Sequence, residues 1–177
     1  MSDKNVFSRE GFEYYSRKLT GSTGKIRKLG QAVGDAAGLN CDWHDNFEFD
    51  DALRNLERGS KRSADLQAAL SGAQIIDVIE QETRIAIGNT VEIEFDDEEQ
   101  AREITIGAWG ESDPLNGLIS YEAPLARAVI GKFEGEEGKL GPTDKARQFM
   151  INRIHPASYK YRSLIKELFE KGMAQVD

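Results

Sequence analysis

The acidic side chains of residues 42–51 are the densest group of chemically active residues in the chain. His44 stands between Asp42 and Asp45, and a histidine with two aspartates is a combination that can bind a metal ion. Two or three ligands within one turn are too few for a separate metal site, so His44 is expected to be an exposed loop residue. Cys41 lacks the base and orienting residue that would activate it as a nucleophile. The carboxylates of this acidic run are Asp42, Asp45, Glu48, Asp50 and Asp51.

Basic residues flank the acidic run on both sides. Residues 1–34 carry seven lysines and arginines against three acids, and the residues after position 51 are basic again. Charged runs are often the solvated faces of helices, but this basic–acidic–basic order equally supports a functional surface. Both interpretations stay open from the residues alone. The basic patch closest to the acidic run consists of Lys25, Arg27, Lys28, Arg54, Arg58, Lys61 and Arg62.

Composition limits the class of protein. The 177 residues suffice for one ordinary domain or two small ones, and with 39% hydrophobic residues they can form a modest core. A net charge of −8 argues against general binding to duplex nucleic acid, which requires a basic face. A single cysteine excludes an internal disulfide framework and suits a reducing compartment. With no apolar run near the about 20 residues of a membrane span and no apolar leader, we expect a cytoplasmic protein.

A heptad pattern predicts a long first helix. Small and apolar residues recur at alternating three- and four-residue spacings, which places them in one seam on the helix. The helix is predicted from about Ser8 to about Leu39. Ser8 is a partial N-cap, because a capping box has Glu or Gln where this chain has Gly11. Gly21 and Gly24 each lower helix propensity by roughly 1 kcal/mol, so a bend is expected there and straightness is left open. The seam positions are Phe12, Tyr15, Leu19, Ser22, Ile26, Leu29, Val33 and Ala36.

A second helix is predicted from about Glu48 to about Leu70. Leu53, Leu56 and Leu66 mark its apolar side together with Leu70, while glycine and serine at positions 59, 60 and 63 dilute it. Because the chain must reverse direction through the acidic run, the two helices are expected to form an antiparallel pair.

The second half of the chain changes to a period of two, which is typical of strands. The pattern predicts an α+β module dominated by antiparallel sheet. A final amphipathic helix over residues 158–171 follows; it covers an open sheet edge, the interpretation we favour, or mediates self-association. The predicted segments of the module are strands at residues 91–95, 104–108 and 118–121, a helix from 124 to 131 and a last strand ending near 154, with any strand around residues 134–142 short or absent.

Three segments resemble the bacterial GreA/GreB family of transcript-cleavage factors. The sequence DWHDNFEF at residues 42–49 is similar to the family pattern D-x-x-E-N-x-E-Y, and AQIID at residues 73–77 is similar to the family's linker. LISYEAPLARAVIGK at residues 118–132 resembles the signature L-I-S-x-x-S-P-L-A-R-A-L-I-G-K and is the most specific of the three. In the family's order and spacing they cover residues 8–154.

The resemblance implies that an N-terminal antiparallel coiled coil enters the secondary channel of RNA polymerase. Asp42 and Asp45 would help hold a Mg²⁺ ion and a water molecule at the polymerase's own active site, and a backtracked transcript would be cut there. The protein would be a cofactor, not an enzyme, and would have no metal ion of its own. Two further tip residues, Asn46 and Glu48, would shape the turn and start the second helix. Its partners would be RNA polymerase and nascent RNA, with the protein a monomer.

The same resemblance implies an FKBP-like C-terminal domain that docks on the polymerase. The exposed part of the signature, represented by Ser120, Pro124, Arg127 and Lys132, is expected to form the docking surface. We expect a coiled-coil domain at residues 1–76, a linker at 77–88, the docking domain at 89–156 and an extra helix at 157–177.

The tip departs from the family pattern. Asp45 replaces the usual glutamate, which shortens the reach by one methylene, and Trp43, His44 and Phe47 replace small or polar residues. Trp43 and Phe47 either pack the turn or contact the polymerase. These departures keep a second hypothesis open, a channel-binding regulator that does not promote cleavage. The FKBP-like fold would also be compatible with a peptidyl-prolyl isomerase, but fold analogy does not transfer activity.

Overall fold

A computed structural model describes residues 5–39, 47–80, 83–142 and 146–174, and these divide into two units. The first unit comprises Met1–Asn5 and Phe12–Gln74, and the second comprises Val6–Gly11 and Ile75–Asp177. The helices are α1 (Arg9–Leu39), α2 (Phe47–Ser71), α3 (Pro124–Val129) and α4 (Tyr161–Ala174). The strands are β1 (Val6–Ser8), β2 (Gln74–Ile76), β3 (Thr90–Phe95), β4 (Arg102–Gly107), β5 (Leu118–Ser120), β6 (Glu137–Leu140) and β7 (Arg147–His155).

The first unit is an antiparallel pair of helices. The hydroxyl oxygens of Ser22 and Ser63 lie 2.9 Å apart, and a Cβ atom on Gly59 would lie 2.9 Å from the Cδ1 atom of Leu29. Moving along α1 from Ser22 to Leu29 therefore means moving backwards along α2 from Ser63 to Gly59. The predicted seam of α1 is confirmed, because every one of its positions is buried or half-buried. On α2 the small residues Gly59 and Ser63 belong to the seam, whereas Ser60 is exposed and Leu53 is 36% exposed.

The helix is unbroken at Gly21 and Gly24, since α1 is continuous from Arg9 to Leu39; the bend expected there stays a prediction. Hydroxyl groups in this stretch bond to the helix itself and to its neighbour. Thr20 Oγ1 donates to the carbonyl oxygen of Ser16 at 3.1 Å, and Ser22 Oγ donates to that of Leu19 at 2.6 Å. Pairing with α2 along the seam thus outweighs the low helix propensity of the two glycines.

The second unit is built on a five-stranded sheet in the order β5-β4-β3-β7-β6. The pairs β3–β4, β3–β7 and β6–β7 are antiparallel, and β4–β5 is parallel. A separate two-stranded sheet pairs β1 with β2, which the sequence pattern did not predict. The predicted α+β class, an antiparallel helix pair followed by a mostly antiparallel sheet with a helix, is confirmed.

Two apolar clusters hold the second unit together. In the larger one, Ala126 and Val129 of α3 pack against the inward side chains of β3, β4 and β7, including Phe95 and Phe149. In the smaller one, Leu118 of the edge strand β5 packs with Ala157, Tyr161 and Ile165. The final helix thus packs against Leu118, a side chain of the edge strand β5, while the favoured expectation that it covers the open sheet edge stays a prediction. None of the helices in the described residues is both long and apolar enough to cross a membrane.

Candidate functional site

The predicted acidic tip falls mostly in the segment between the two long helices. Asp42, Trp43, His44, Asp45 and Asn46 lie outside the described residues, so their predicted roles stay predictions. This segment lies between two described helices, since α1 ends at Leu39 and α2 begins at Phe47. The two aspartates therefore fall within a seven-residue connection between antiparallel helices.

The first turn of α2 continues the acidic run. Glu48 and Asp50 lie in this turn, where negative side chains are favoured by the unpaired N–H groups and the helix dipole. Asp51 accepts a hydrogen bond from Asn55 Nδ2 at 3.0 Å. Phe47, the first residue of the helix, is 75% exposed. A large exposed aromatic side chain beside carboxylates is available for contact with a partner.

Five of the seven residues of the basic patch lie at one level of the helix pair. The contacts Ser22–Ser63 and Leu29–Gly59 bracket three cations of α1 and two of α2. Residues 22–29 and 59–63 themselves contain no acidic residue. All seven predicted members of the patch are exposed: Lys25, Arg27, Lys28, Arg54, Arg58, Lys61 and Arg62. The structure therefore brings together, as one positive band at residues 22–29 and 59–63, cations that lie in two separate runs of the sequence.

The signature at residues 118–132 divides into core and surface. Leu118, Ala126 and Val129 are fully buried, so a large part of the motif serves packing. Of the four predicted docking residues, Pro124 and Arg127 are exposed, whereas Ser120 and Lys132 are half-buried. The structure thus separates a candidate surface on α3 from the core positions, a separation that the sequence pattern left open.

The end of the signature is fixed by backbone geometry. Gly131 has φ +84°, in the left-handed region that residues with a Cβ atom rarely adopt. Its N–H donates to the carbonyl oxygen of Ile85 at 2.8 Å, and the N–H of Ile85 donates to the carbonyl oxygen of Lys132 at 2.9 Å. These two bonds fix the end of α3 and hold Lys132 next to it. Phe133 follows, 44% exposed, with the guanidinium of Arg84 5.2 Å from its ring centre.

A buried carboxyl group, Glu111, is a feature that the sequence analysis missed. Glu111 is fully buried and accepts hydrogen bonds from the N–H of Ala108 at 2.7 Å and the hydroxyl of Tyr161 at 2.7 Å. The Ser8 hydroxyl donates to its other oxygen. Burial raises the pKa of Glu111 above its ordinary value. The pKa of Tyr161 is raised as well, first by burial and then by the neighbouring Glu111.

The hydrogen bonds around Glu111 also contribute to the N-terminal cap of α1, although Glu111 is far from that helix in the sequence. Ser8 Oγ accepts the N–H of Gly11 at 2.9 Å, as an N-cap residue does. In a capping box a glutamate at position 11 would reach back, but here Glu111 occupies that space. A Cβ atom on Gly11 would lie 2.8 Å from Glu111 Oε1 and 2.9 Å from Ser8 Oγ. The glycine in the partial capping box therefore makes room for the carboxyl group, which is the one signal in the sequence that could have indicated such a neighbour.

Comparisons with known proteins agree on one family. A sequence model described as "Transcription elongation factor, GreA/GreB, C-term" matches residues 80–156. GreA of Nautilia profundicola is 31% identical over 153 residues, which are 85% of this chain and 94% of that protein. GreB of Haemophilus ducreyi is 32% identical over 157 residues, 87% of this chain and 95% of that protein. The crystal structure of GreA factor homolog 1 of Thermus thermophilus has a TM-score of 0.42 and 20% identity, covering 86% of this chain and 99% of that one.

Proposed function

The chain belongs to the GreA/GreB family of transcription elongation factors, and from this premise we propose that it stimulates cleavage of backtracked transcripts by RNA polymerase. The observation that carries the proposal is the position of Asp42 and Asp45, between two antiparallel helices. Such a connection is where a helical hairpin can present two carboxylates to a partner. The factor itself supplies side chains and the polymerase supplies the active site.

The carboxylates suit the chemistry of phosphodiester hydrolysis. Mg²⁺ takes a few carboxylates together with substrate phosphates and water, without needing a complete protein cage. A metal ion of this kind stabilises the attacking and leaving oxygens of an in-line displacement. Asp42 and Asp45 would contribute to holding such an ion within the polymerase, while Glu48 and Asp50 keep the adjacent surface negative.

The length and charge of the helix pair support insertion into a channel. At 1.5 Å per residue the 31 residues of α1 extend over about 46 Å. The positive band at residues 22–29 and 59–63 lies away from the acidic end, so opposite charges occupy separate levels of the same rod. A negatively charged channel wall or emerging RNA is the partner that this band fits.

The exposed surface of α3 is the proposed docking site on the polymerase. Pro124 and Arg127 are exposed on a helix that also contains Ala126 and Val129, which are buried in the core. A short helix fixed in this way is a rigid platform, which suits a docking contact with a partner protein. Ser120 and Lys132 flank this platform.

Transcript cleavage in a defined complex tests the proposal. RNA polymerase is stalled in a backtracked complex with 5′-labelled RNA, and the protein is added with Mg²⁺. We expect shortened RNA, and loss of that product with Asp42→Asn. Asp45→Glu, which restores the family residue, should raise the rate, because misplacement of about 1 Å can cost on the order of a hundredfold. Equal cleavage by the wild type and Asp42→Asn would contradict the assigned role.

The altered tip favours one alternative, a regulator that binds the same channel without promoting cleavage. Asp45 with its shorter side chain, next to Trp43 and His44, is the feature that distinguishes it from the family pattern. In the same assay this alternative predicts no shortened RNA and a block of cleavage by an added GreA protein. Neither cleavage nor competition would overturn both functions.

A further inference from the structure

Three potential metal ligands converge on the sheet of the second unit, far along the sequence from the acidic tip. Glu92, Glu103 and His155 each offer a ligand atom, and these atoms all lie within 4.8 Å of one another. They come from β3, β4 and β7, three strands that are adjacent in the sheet. Glu92 and Glu103 are a direct cross-strand pair. The convergence is therefore produced by sheet register and not by a flexible loop.

We propose that Glu92, Glu103 and His155 form a binding site for a zinc ion. One imidazole nitrogen and two carboxylate oxygens are a ligand set that zinc accepts, with water in the remaining position. Ligand atoms on one tetrahedral zinc ion are about 3.4 Å apart, so small rotations of two surface carboxylates are enough to close the site. The imidazole selects zinc over Mg²⁺, which prefers oxygen ligands alone.

The histidine is already held in place. Its Nε2 atom lies 2.8 Å from Glu92 Oε1, and its ring stacks on that of Tyr159 with the ring centres 4.3 Å apart. Its carbonyl oxygen accepts a hydrogen bond from Asn89 Nδ2 at 2.9 Å, and Asn89 is itself buried. A ligand fixed by its backbone and its ring loses little freedom on binding a metal ion.

The negative charges at the site favour binding of a cation. Two carboxylates directly opposite each other on neighbouring strands repel. In the protein as described, Lys160 pairs with Glu103, and Tyr159 donates its hydroxyl to the same carboxylate at 3.3 Å. Lys160 is 41% exposed. Its ammonium group can therefore move into solvent when a bound metal ion neutralises Glu103 in its place.

Zinc titration of the full-length protein, by calorimetry and by thermal unfolding, tests the proposal. We expect one bound zinc ion and a higher midpoint of unfolding with zinc, because a ligand that binds the folded state stabilises it. Mg²⁺ should not compete. His155→Gln should weaken binding at least about tenfold. Lys160→Gln should tighten it about fivefold, because a competing cation at a partly exposed carboxylate is removed.

A matched control comes from the same strand. Glu94 is exposed, two residues from Glu92, and accepts a hydrogen bond from Asn152, so Glu94→Gln should leave zinc binding unchanged. Absence of zinc binding, or zinc affinity that is unchanged in His155→Gln, would overturn the proposal. An unchanged affinity would place the ion elsewhere, for example on the acidic run at residues 42–51. Transcript cleavage is a separate readout, so this result is independent of the proposed function.

Discussion

The helical unit and the sheet unit differ in how many of their side chains are buried. Among the described residues of the helical unit, the buried ones are Ala36 and Ala69, whereas nearly all other buried side chains belong to the sheet unit. A two-helix pair can bury only a narrow seam, and the rest of its surface is free to carry charge. A sheet packed on both sides can hold a surface rigidly. We infer that the helical unit supplies length and a charged surface, while the sheet unit supplies a rigid contact surface.

Removing a large core side chain should show this difference most strongly. Phe149→Ala should cost about 3–5 kcal/mol of the free energy of unfolding, because Phe149 is buried against Phe95 with ring centres 5.7 Å apart. Leu56→Ala, on the half-buried seam of α2, should cost about 1–2 kcal/mol. Urea unfolding followed by circular dichroism measures both, and equal losses would contradict the contrast between the two units.

A glycine of the sheet unit should tolerate no side chain. Gly88 has φ +100°, and a Cβ atom there would lie 2.2 Å from Val78 Cγ1. Gly88→Ala should therefore cost about 2 kcal/mol or more, from backbone strain and from displacement of Val78. Thermal unfolding gives the measurement. A change below about 0.5 kcal/mol would show that this turn relaxes and that the unit is less rigid than proposed.

The buried carboxyl group should make the stability of the sheet unit depend on pH. The folded-state pKa of Glu111 is raised by burial, so the folded protein holds this proton more tightly than the unfolded chain. The resulting stabilisation is complete below the unfolded pKa of about 4.3 and is lost as pH rises through the raised folded pKa. The slope from this one group is at most about 1.4 kcal/mol per pH unit.

The difference in unfolding free energy between the wild type and Glu111→Gln isolates this effect. The glutamine keeps an oxygen for Ala108 and Tyr161 but does not titrate. We expect the wild type to lose stability relative to the variant as pH rises from 4 into the neutral range. Glu99→Gln, at an exposed position, is the matched substitution that controls for the loss of one surface carboxylate. A flat difference for Glu111→Gln would contradict the raised pKa.

The smallest expected effect is a gain in the free energy of unfolding, from Gly24→Ala. A Cβ atom on Gly24 would meet nothing within 4 Å, and Gly24 lies inside α1. Gly24→Ala should therefore stabilise the helical unit by up to about 1 kcal/mol through helix propensity alone. Thermal unfolding monitored by the helical signal measures it. Destabilisation would mean that this glycine has a packing or functional contact that the exposed surface of α1 does not reveal.

Regular patterns in the sequence predicted the elements that are long or alternating. The heptad seam from Phe12 to Ala36 and the alternation at Val91, Ile93 and Phe95 both match the described burial. The pairing of β1 with β2 was missed because two strands of three residues, 68 positions apart at their starts, carry no periodic signal of their own.

The same limit applies to sites that depend on tertiary packing. Glu111 stands in a loop of glycine and polar residues, where a carboxylate is expected to be solvated. Only the packing of Tyr161 and Ser8 around it makes it buried. Glu92, Glu103 and His155 become neighbours through strand register, which local pattern does not encode. The roles of Asp42 and Asp45 were predicted from resemblance and stay predictions.

The rate of transcript cleavage as a function of factor concentration tests most directly whether the helical unit and the sheet unit have these separate roles. Asp42→Asn should lower the maximal rate and leave the half-saturating concentration unchanged, because the proposed function places Asp42 in the cleavage step and not in binding. Arg127→Glu, at an exposed position on α3, should raise the half-saturating concentration and leave the maximal rate nearly unchanged. If both substitutions change the same parameter, or if Asp42→Asn cleaves at the wild-type maximal rate, the assignment of reach to the helices and docking to the sheet unit is contradicted.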